Sequence, residues 1–280
     1  MADHFAAFSF VDRITALEPG ARARGTFAIP PNVAGFPPCL MAEAVGQLAA
    51  WVAMAYIGFR GRPVAALAHE TRFHRAARPG QRLDLAVDLE SVDDEAVAYR
   101  GTASIDGARA VELNDCLGPM LPVNEFDDPA AMSARFDLLC GEGAPPGRFR
   151  GVALPRVVRE GGVAGHSAHG TLAVPATAPF FHDHFPRRPV FPATLMLDAQ
   201  IDLALAVAAE TAHWPAGTPL APVRMTHVKV RSFTPPGQVL RLGVELRAPK
   251  DGVVTCMLSA HCNDKPVATA RVEIAPGSLQ

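Results

Sequence analysis

Leu83, Leu85, Val87 and Leu89 alternate with polar or small residues. That period of two places one face of a strand against a core. The same alternation returns 157 residues later at Leu240, Leu242, Val244 and Leu246. Each run is followed by a β-rich stretch and a two-residue turn pair, Asp106-Gly107 in one case and Asn263-Asp264 in the other. Such pairs predict hairpins. Upstream lies an apolar run from Cys39 to Phe59, about long enough to cross a bilayer. Alanine dominates it, and Glu43 and Gln47 sit inside it, so it reads as a helix buried in a protein core.

These elements recur because the chain is a tandem repeat. Phe36-Pro37-Pro38-Cys39-Leu40-Met41-Ala42-Glu43-Ala44 aligns with Phe191-Pro192-Ala193-Thr194-Leu195-Met196-Leu197-Asp198-Ala199 at an offset of 155 residues. Downstream the offset becomes 157, where Pro79-Gly80-Gln81 matches Pro236-Gly237-Gln238. Each half predicts a leading strand, one buried helix and an antiparallel meander, an α+β unit. A sheet carrying one helix covers it on one face only, so two such units are expected to join edge to edge about a pseudo-twofold axis. The expected organisation is a first unit over 1–123, a connection over 124–150 and a second unit over 151–280. The connection has no counterpart in the repeat. Its Asp127-Asp128-Pro129 and Gly141–Gly147 stretches read as loop, and its glycines lack the spacing of a dinucleotide fingerprint.

Composition narrows the function classes. Hydrophobic residues are 49% and charged residues 19%, a globular balance. The net charge of −2 offers no footprint for nucleic acid. Five cysteines without C-x-x-C spacing point to reduced thiols and a cytoplasmic protein. The start, Met1-Ala2-Asp3-His4-Phe5, has no basic segment leading into a long apolar one, so no signal peptide is expected.

The second half contains Phe180-Phe181-His182-Asp183-His184-Phe185-Pro186-Arg187-Arg188-Pro189-Val190-Phe191-Pro192-Ala193-Thr194-Leu195-Met196-Leu197-Asp198. This stretch resembles the β-hydroxyacyl-acyl-carrier-protein dehydratase family of the hotdog fold. The family pattern is His-Phe-Pro-Gly-x-Pro-Val-Met-Pro-Gly, followed by a helix acid fourteen residues after the histidine, the separation of His184 and Asp198 here. The segment Phe8–Ile14, with Leu17-Glu18-Pro19-Gly20, is also similar to the family's first strand. The resemblance implies a double hotdog, each unit an antiparallel sheet wrapped around a long central helix. It implies a hydro-lyase that converts 3-hydroxyacyl thioesters to trans-2-enoyl thioesters in fatty-acid or polyketide-type synthesis. The substrate would ride on the phosphopantetheine of an acyl carrier protein or coenzyme A, with no metal or organic cofactor. A homodimer of double hotdogs is compatible with this organisation.

In the family, as the resemblance implies, the histidine of one hotdog faces the helix acid of its partner. Here that pairs His184 with Glu43. Gln47 lies one turn beyond Glu43 on the same face. The mirror-image site is expected to be silent, since residues 27–36 contain no histidine and Pro38 has no N–H to offer. Ala193 keeps that donor in the second half. One composite site per chain is therefore expected, with His184 as base, Glu43 as acid, and Gln47 and Ala193 in support. Asp198 holds the family's acid slot beside the silent site and is a further supporting candidate. A neutral histidine suits removal of the α-proton, a carboxyl in an apolar interface can donate to the departing hydroxyl, and a helix N-terminus can hold the carbonyl oxygen. Arg187 and Arg188 are candidates for the carrier or its phosphate, and Phe191 for the substrate pocket. Arg187, Phe191 and Ala193 replace the family's Gly, Met and Gly.

Competing readings remain. His166, His169, His182 and His184 lack acid and cysteine partners at metal-ligand spacing. Gly165-His166-Ser167-Ala168-His169 fails the nucleophile-elbow pattern at its last position. Cys39, at a helix start, is expected to pack rather than react. A hotdog thioesterase would use Glu43 with water but leaves the His184 motif without a task. A non-catalytic acyl-thioester-binding or scaffold subunit would bind substrate without turnover.

Overall fold

A computed structural model describes residues 7–64, 66–145 and 148–279. The reading of Met1–Phe5, and Pro146 and Gly147 of the connection, lie outside these residues. The first half comprises β1 (Arg13–Glu18), β2 (Arg22–Ala28), α1 (Pro38–Tyr56), β3 (Gly61–Pro63), β4 (Leu67–Phe73), β5 (Arg82–Val92), β6 (Ala96–Ile105) and β7 (Ala108–Pro122). A helix α2 (Pro129–Cys140) follows. The second half comprises β8 (Val158–Val163), β9 (Ser167–Ala173), α3 (Ala193–Ala209), β10 (Leu220–Val230), β11 (Val239–Leu246), β12 (Val254–Cys262) and β13 (Lys265–Pro276).

One antiparallel sheet runs through the chain in the order β1-β2-β5-β6-β7-β4-β10-β13-β12-β11-β9-β8, with β3 on β7. The order is a palindrome of the repeat, centred on the β4–β10 pairing, where Met225 opposes Thr71 and Thr226 opposes Glu70. Across this seam Arg224 binds Glu70 at 3.2 Å, and it also binds Glu273 on β13. The edge-to-edge union of two hotdogs is thus a continuous double-hotdog sheet. Each half enters through a hairpin, β1–β2 or β8–β9, where a single leading strand was expected. Phe8–Asp12 is not part of the first strand, which begins at Arg13. Phe8 and Phe10 instead turn into the core.

Why α1 forms where it does follows from its ends. Pro38 opens it with a preset φ and no N–H to waste. Gly58, at φ +66, stops it, because the left-handed conformation that closes a helix favours glycine. Its face of Leu40, Met41, Val45, Leu48 and Val52 is buried against the sheet. Burial of each large side chain contributes about 1.5–3 kcal/mol. The helix is long and apolar enough to cross a membrane by length and composition, and in the fold it is the core helix of the first hotdog. Gly101 on β6 permits the close approach, since a Cβ there would stand 2.5 Å from Val45 Cγ1.

The connection is not the plain loop expected from sequence. Asp128 accepts a hydrogen bond from Ala130 N at 2.9 Å and Pro129 takes the next position, an N-cap and helix start rather than a turn. Helix α2 buries Met132 against Met54, Phe59 and Val123, and Phe136 lies near the Trp51 and Phe59 rings. The connecting segment thus becomes a wall of the first half.

Candidate functional site

His184 sits in the loop between a 3-10 turn at Pro179–His182 and α3. Buried Phe180 and Phe181 anchor the turn, and His184 N donates to Phe180 O. Two hydrogen bonds then pinch the loop. Val190 N donates to His184 O at 3.0 Å, and His184 Nδ1 lies 2.8 Å from Val190 O. A carbonyl only accepts, so Nδ1 carries the proton and Nε2 of the neutral ring keeps its lone pair. The imidazole stacks on Phe185 at 4.0 Å and meets the edge of Phe8. Burial lowers the His184 pKa below its usual 6.5, and the Glu43 carboxylate opposes that shift.

Glu43 reaches the same cavity from α1, which belongs to the other half. Its Oε2 accepts from Thr194 Oγ1 of α3 at 2.9 Å, and its Oε1 accepts from Gln47 Nε2 at 3.1 Å. Gln47 also donates to Phe8 O and accepts from Phe10 N at 2.8 Å. All three bonds leave Gln47 a positioning residue, one that fixes both the carboxylate and the segment leading into β1. Asp183 completes the bridge by accepting from Ala7 N and Phe8 N. The segment around Phe8 is therefore held by α1 on one side and by the histidine loop on the other.

The two groups share a cavity of about 220 Å³. A single water needs about 10–15 Å³ of such space, so a chain-like ligand fits. Ala193, at the first position of α3, lines it and carries an N–H with no preceding intrahelical acceptor. Phe191, Tyr99 and Trp51 supply apolar walls. Gly46 on α1 leaves room for the Tyr99 hydroxyl, which would lie 3.2 Å from a Cβ at that position.

Arg187 and Arg188 have partners within the chain. Arg187 donates to Asn124 O at 3.1 Å and pairs loosely with Asp128, while Arg188 pairs with Glu125 at 2.7 Å and lies over the Phe126 and Phe233 rings. Both tie the histidine loop to the connecting segment. Thr194, Asp183 and Arg62 were missed by sequence reasoning. Thr194 had a legible signal, a hydroxyl at a helix start beside a motif proline. The other two acquire partners only through distant chain contacts.

Asp198 points elsewhere. With Asp202, Pro37 and Pro38 it lines a separate groove on the pseudo-symmetric side. Burial, reinforced by Asp202, raises Asp198 to about 7, and burial raises Asp202 as well. Cys39 beside them is buried, and its thiol is pushed up by that burial and by the neighbouring carboxylates, which suits packing rather than reactivity. A carboxyl whose folded pKa lies above its unfolded value costs stability as pH rises through that window, here from about 4 to 7. Asp198→Asn is accordingly expected to raise Tm more at pH 8 than at pH 4. An equal shift at both pH values would show that Asp198 ionises without penalty.

A family model described as a FabA-like domain matches residues 153–271. The 3-hydroxyacyl-[acyl-carrier-protein] dehydratase FabZ of Clostridium acetobutylicum is 30% identical over 113 residues, covering 36% of this chain and 80% of that protein. Among solved structures, a putative oleoyl thioesterase from Lactobacillus plantarum superimposes with a TM-score of 0.60 at 11% identity, covering 92% of this chain and 98% of the other. A hotdog-fold protein from Alicyclobacillus acidocaldarius gives a TM-score of 0.54 at 14% identity, covering 95% and 97%. The structural likenesses show the fold.

Proposed function

Because the chain belongs to the FabZ-type 3-hydroxyacyl-acyl-carrier-protein dehydratase family of hotdog proteins, we propose that it removes water from 3-hydroxyacyl thioesters to give trans-2-enoyl thioesters. The observation that carries this is the meeting of His184, from the loop of one half, with Glu43, from the helix of the other, in one cavity beside the first amide of α3. In the forward step Nε2 of His184 takes the C2 proton. Charge moves to the thioester oxygen, where the Ala193 N–H and the positive end of α3 stabilise it. The C3–O bond then breaks as Glu43 gives a proton to the hydroxyl, the C2=C3 bond forms, and water leaves. His184 and Glu43 return to their starting states when water delivers and takes up the same protons in exchange with solvent. The thioester is carried on an acyl carrier protein or on coenzyme A, within fatty-acid or polyketide-type synthesis.

The test is product identity. Incubation with a 3-hydroxyacyl thioester is expected to yield the enoyl thioester with its conjugated absorbance and no free thiol. Release of thiol and free acid would identify a thioesterase instead. The pH profile adds a second check. The base form of His184 is required, and burial lowers its pKa. The acidic limb of kcat/KM is therefore expected to have its midpoint below pH 6.5. A midpoint above that value would mean that Glu43 outweighs burial and that the assignment of the base needs revision.

A further inference from the structure

The cavity that holds His184 and Glu43 also holds a guanidinium, whose charge helps to lower the His184 pKa but which takes no part in the proton transfers. Arg62, on β3, lines it together with Met132 and Arg135 of α2. The surroundings of Arg62 are poor acceptors. Its Nη1 faces the Met132 thioether sulfur at 3.8 Å, and its plane lies 4.1 Å from the centre of the Phe185 ring. Its Nε is buried with no hydrogen-bond partner among the described residues.

The nearby carboxylates are already engaged. Asp127 accepts from Arg135 at 3.0 Å and from Asp128 N. Glu43 accepts from Thr194 and Gln47, and Asp183 from two backbone amides. Burial lowers the Arg62 pKa to about 10, which still leaves it charged at neutral pH. A desolvated cation with spare donors is costly unless a ligand supplies the acceptor. A purely alkyl chain in this cavity would bury the guanidinium further and give nothing back. A carboxylate would match its planar fork.

Resting on the thioester reading above, we propose that the acyl group of the preferred substrate carries a carboxylate, bound by Arg62. Phe185 lies between the guanidinium and the imidazole, stacked on one and covered by the other. The guanidinium is thus about two ring spacings from the His184 imidazole, within reach of a short acyl chain. The phosphate of a phosphopantetheine arm sits at the far end of a long tether from the thioester and stays outside. A site built to bind an anion rejects the analogue that lacks it, because its own polar group is left unpaired.

The experiment uses N-acetylcysteamine thioesters, which contain no phosphate, in pairs matched for length and ending in carboxylate or methyl. Wild type is expected to prefer the carboxylate form by about tenfold or more in kcat/KM. Arg62→Met, which keeps a long apolar stem beside Met132, is expected to collapse that ratio, and Arg62→Lys to restore part of it. Affinities for the corresponding enoyl thioesters, measured by calorimetry on the His184→Ala protein, are expected to show the same dependence on Arg62. Equal or methyl-favouring behaviour of wild type in both assays would overturn the inference even if the Met variant failed to fold. A carboxylate preference that survives Arg62→Met would overturn the role of Arg62. Selective binding without any turnover would uphold the anion site and remove the dehydratase reading, so the two failures are distinguishable.

Discussion

Replacing His184 with alanine is expected to slow hydration of a trans-2-enoyl thioester by roughly 100- to 10,000-fold in kcat/KM, the usual contribution of a positioned acid–base group. That corresponds to about 3–5 kcal/mol of transition-state stabilisation. The alanine leaves Nδ1 and its bond to the Val190 carbonyl unmade, but Val190 N still meets the main-chain oxygen of residue 184. The loop is therefore expected to persist and the loss to be chemical. Glu43→Gln is expected to cost a similar amount, because an amide cannot deliver the proton although it can still bond Thr194 and Gln47. The double variant should be little worse than either single one, since the two groups act as a unit in one turnover. Asp198→Asn, in the separate groove, is expected to retain activity. Loss of activity in Asp198→Asn with retention in Glu43→Gln would reverse the assignment of the two pseudo-sites.

The second large effect is on stability. Phe10 is fully buried, and its ring meets those of Phe8, Phe27, Phe36 and Phe149 edge-on, at centroid distances of 4.9 to 5.5 Å. Phe10→Ala is expected to cost about 3–5 kcal/mol, from lost transfer energy and the cavity left behind. For a chain of this size that is a fall in Tm on the order of 10 °C. The effect should also reach the site. Phe10 N donates to Gln47, which holds Glu43, so a displaced segment loosens the carboxylate. A combined loss of Tm and kcat is expected, with Phe10→Leu recovering much of both. A shift in Tm of only a degree or two would mean that Phe10 does not join the aromatic cluster in solution.

Much of the architecture is legible in the chain because its signals are local and occur twice. The strand alternation at Leu83–Leu89 and Leu240–Leu246 needs only a period of two to be recognised. The proline-framed starts of α1 and α3 lie within a few residues of their causes. The histidine loop is compact too, since its bonds at His184 run to Val190 and Phe180, a few residues away. The error at α2 was also local. Asp128-Pro129 reads equally as a turn or as an N-cap, and packing on Met54 and Phe59 decided for the helix.

The sequence by itself determined the tandem repeat, the two core helices, the histidine loop and the absence of a matching histidine and amide at the mirror position. Tertiary structure alone decided which charges face which. Arg187 and Arg188 look like free cations in the chain, yet they close onto Asn124, Asp128 and Glu125, far back in the sequence. Arg62 looks like one arginine among many, yet the fold lays it over Phe185 and leaves its Nε without an acceptor. The reason is physical. Hydrophobic periodicity and capping are set by neighbours along the chain, whereas the energy of a charge depends on the dielectric and partners around it, which exist only after distant segments have packed.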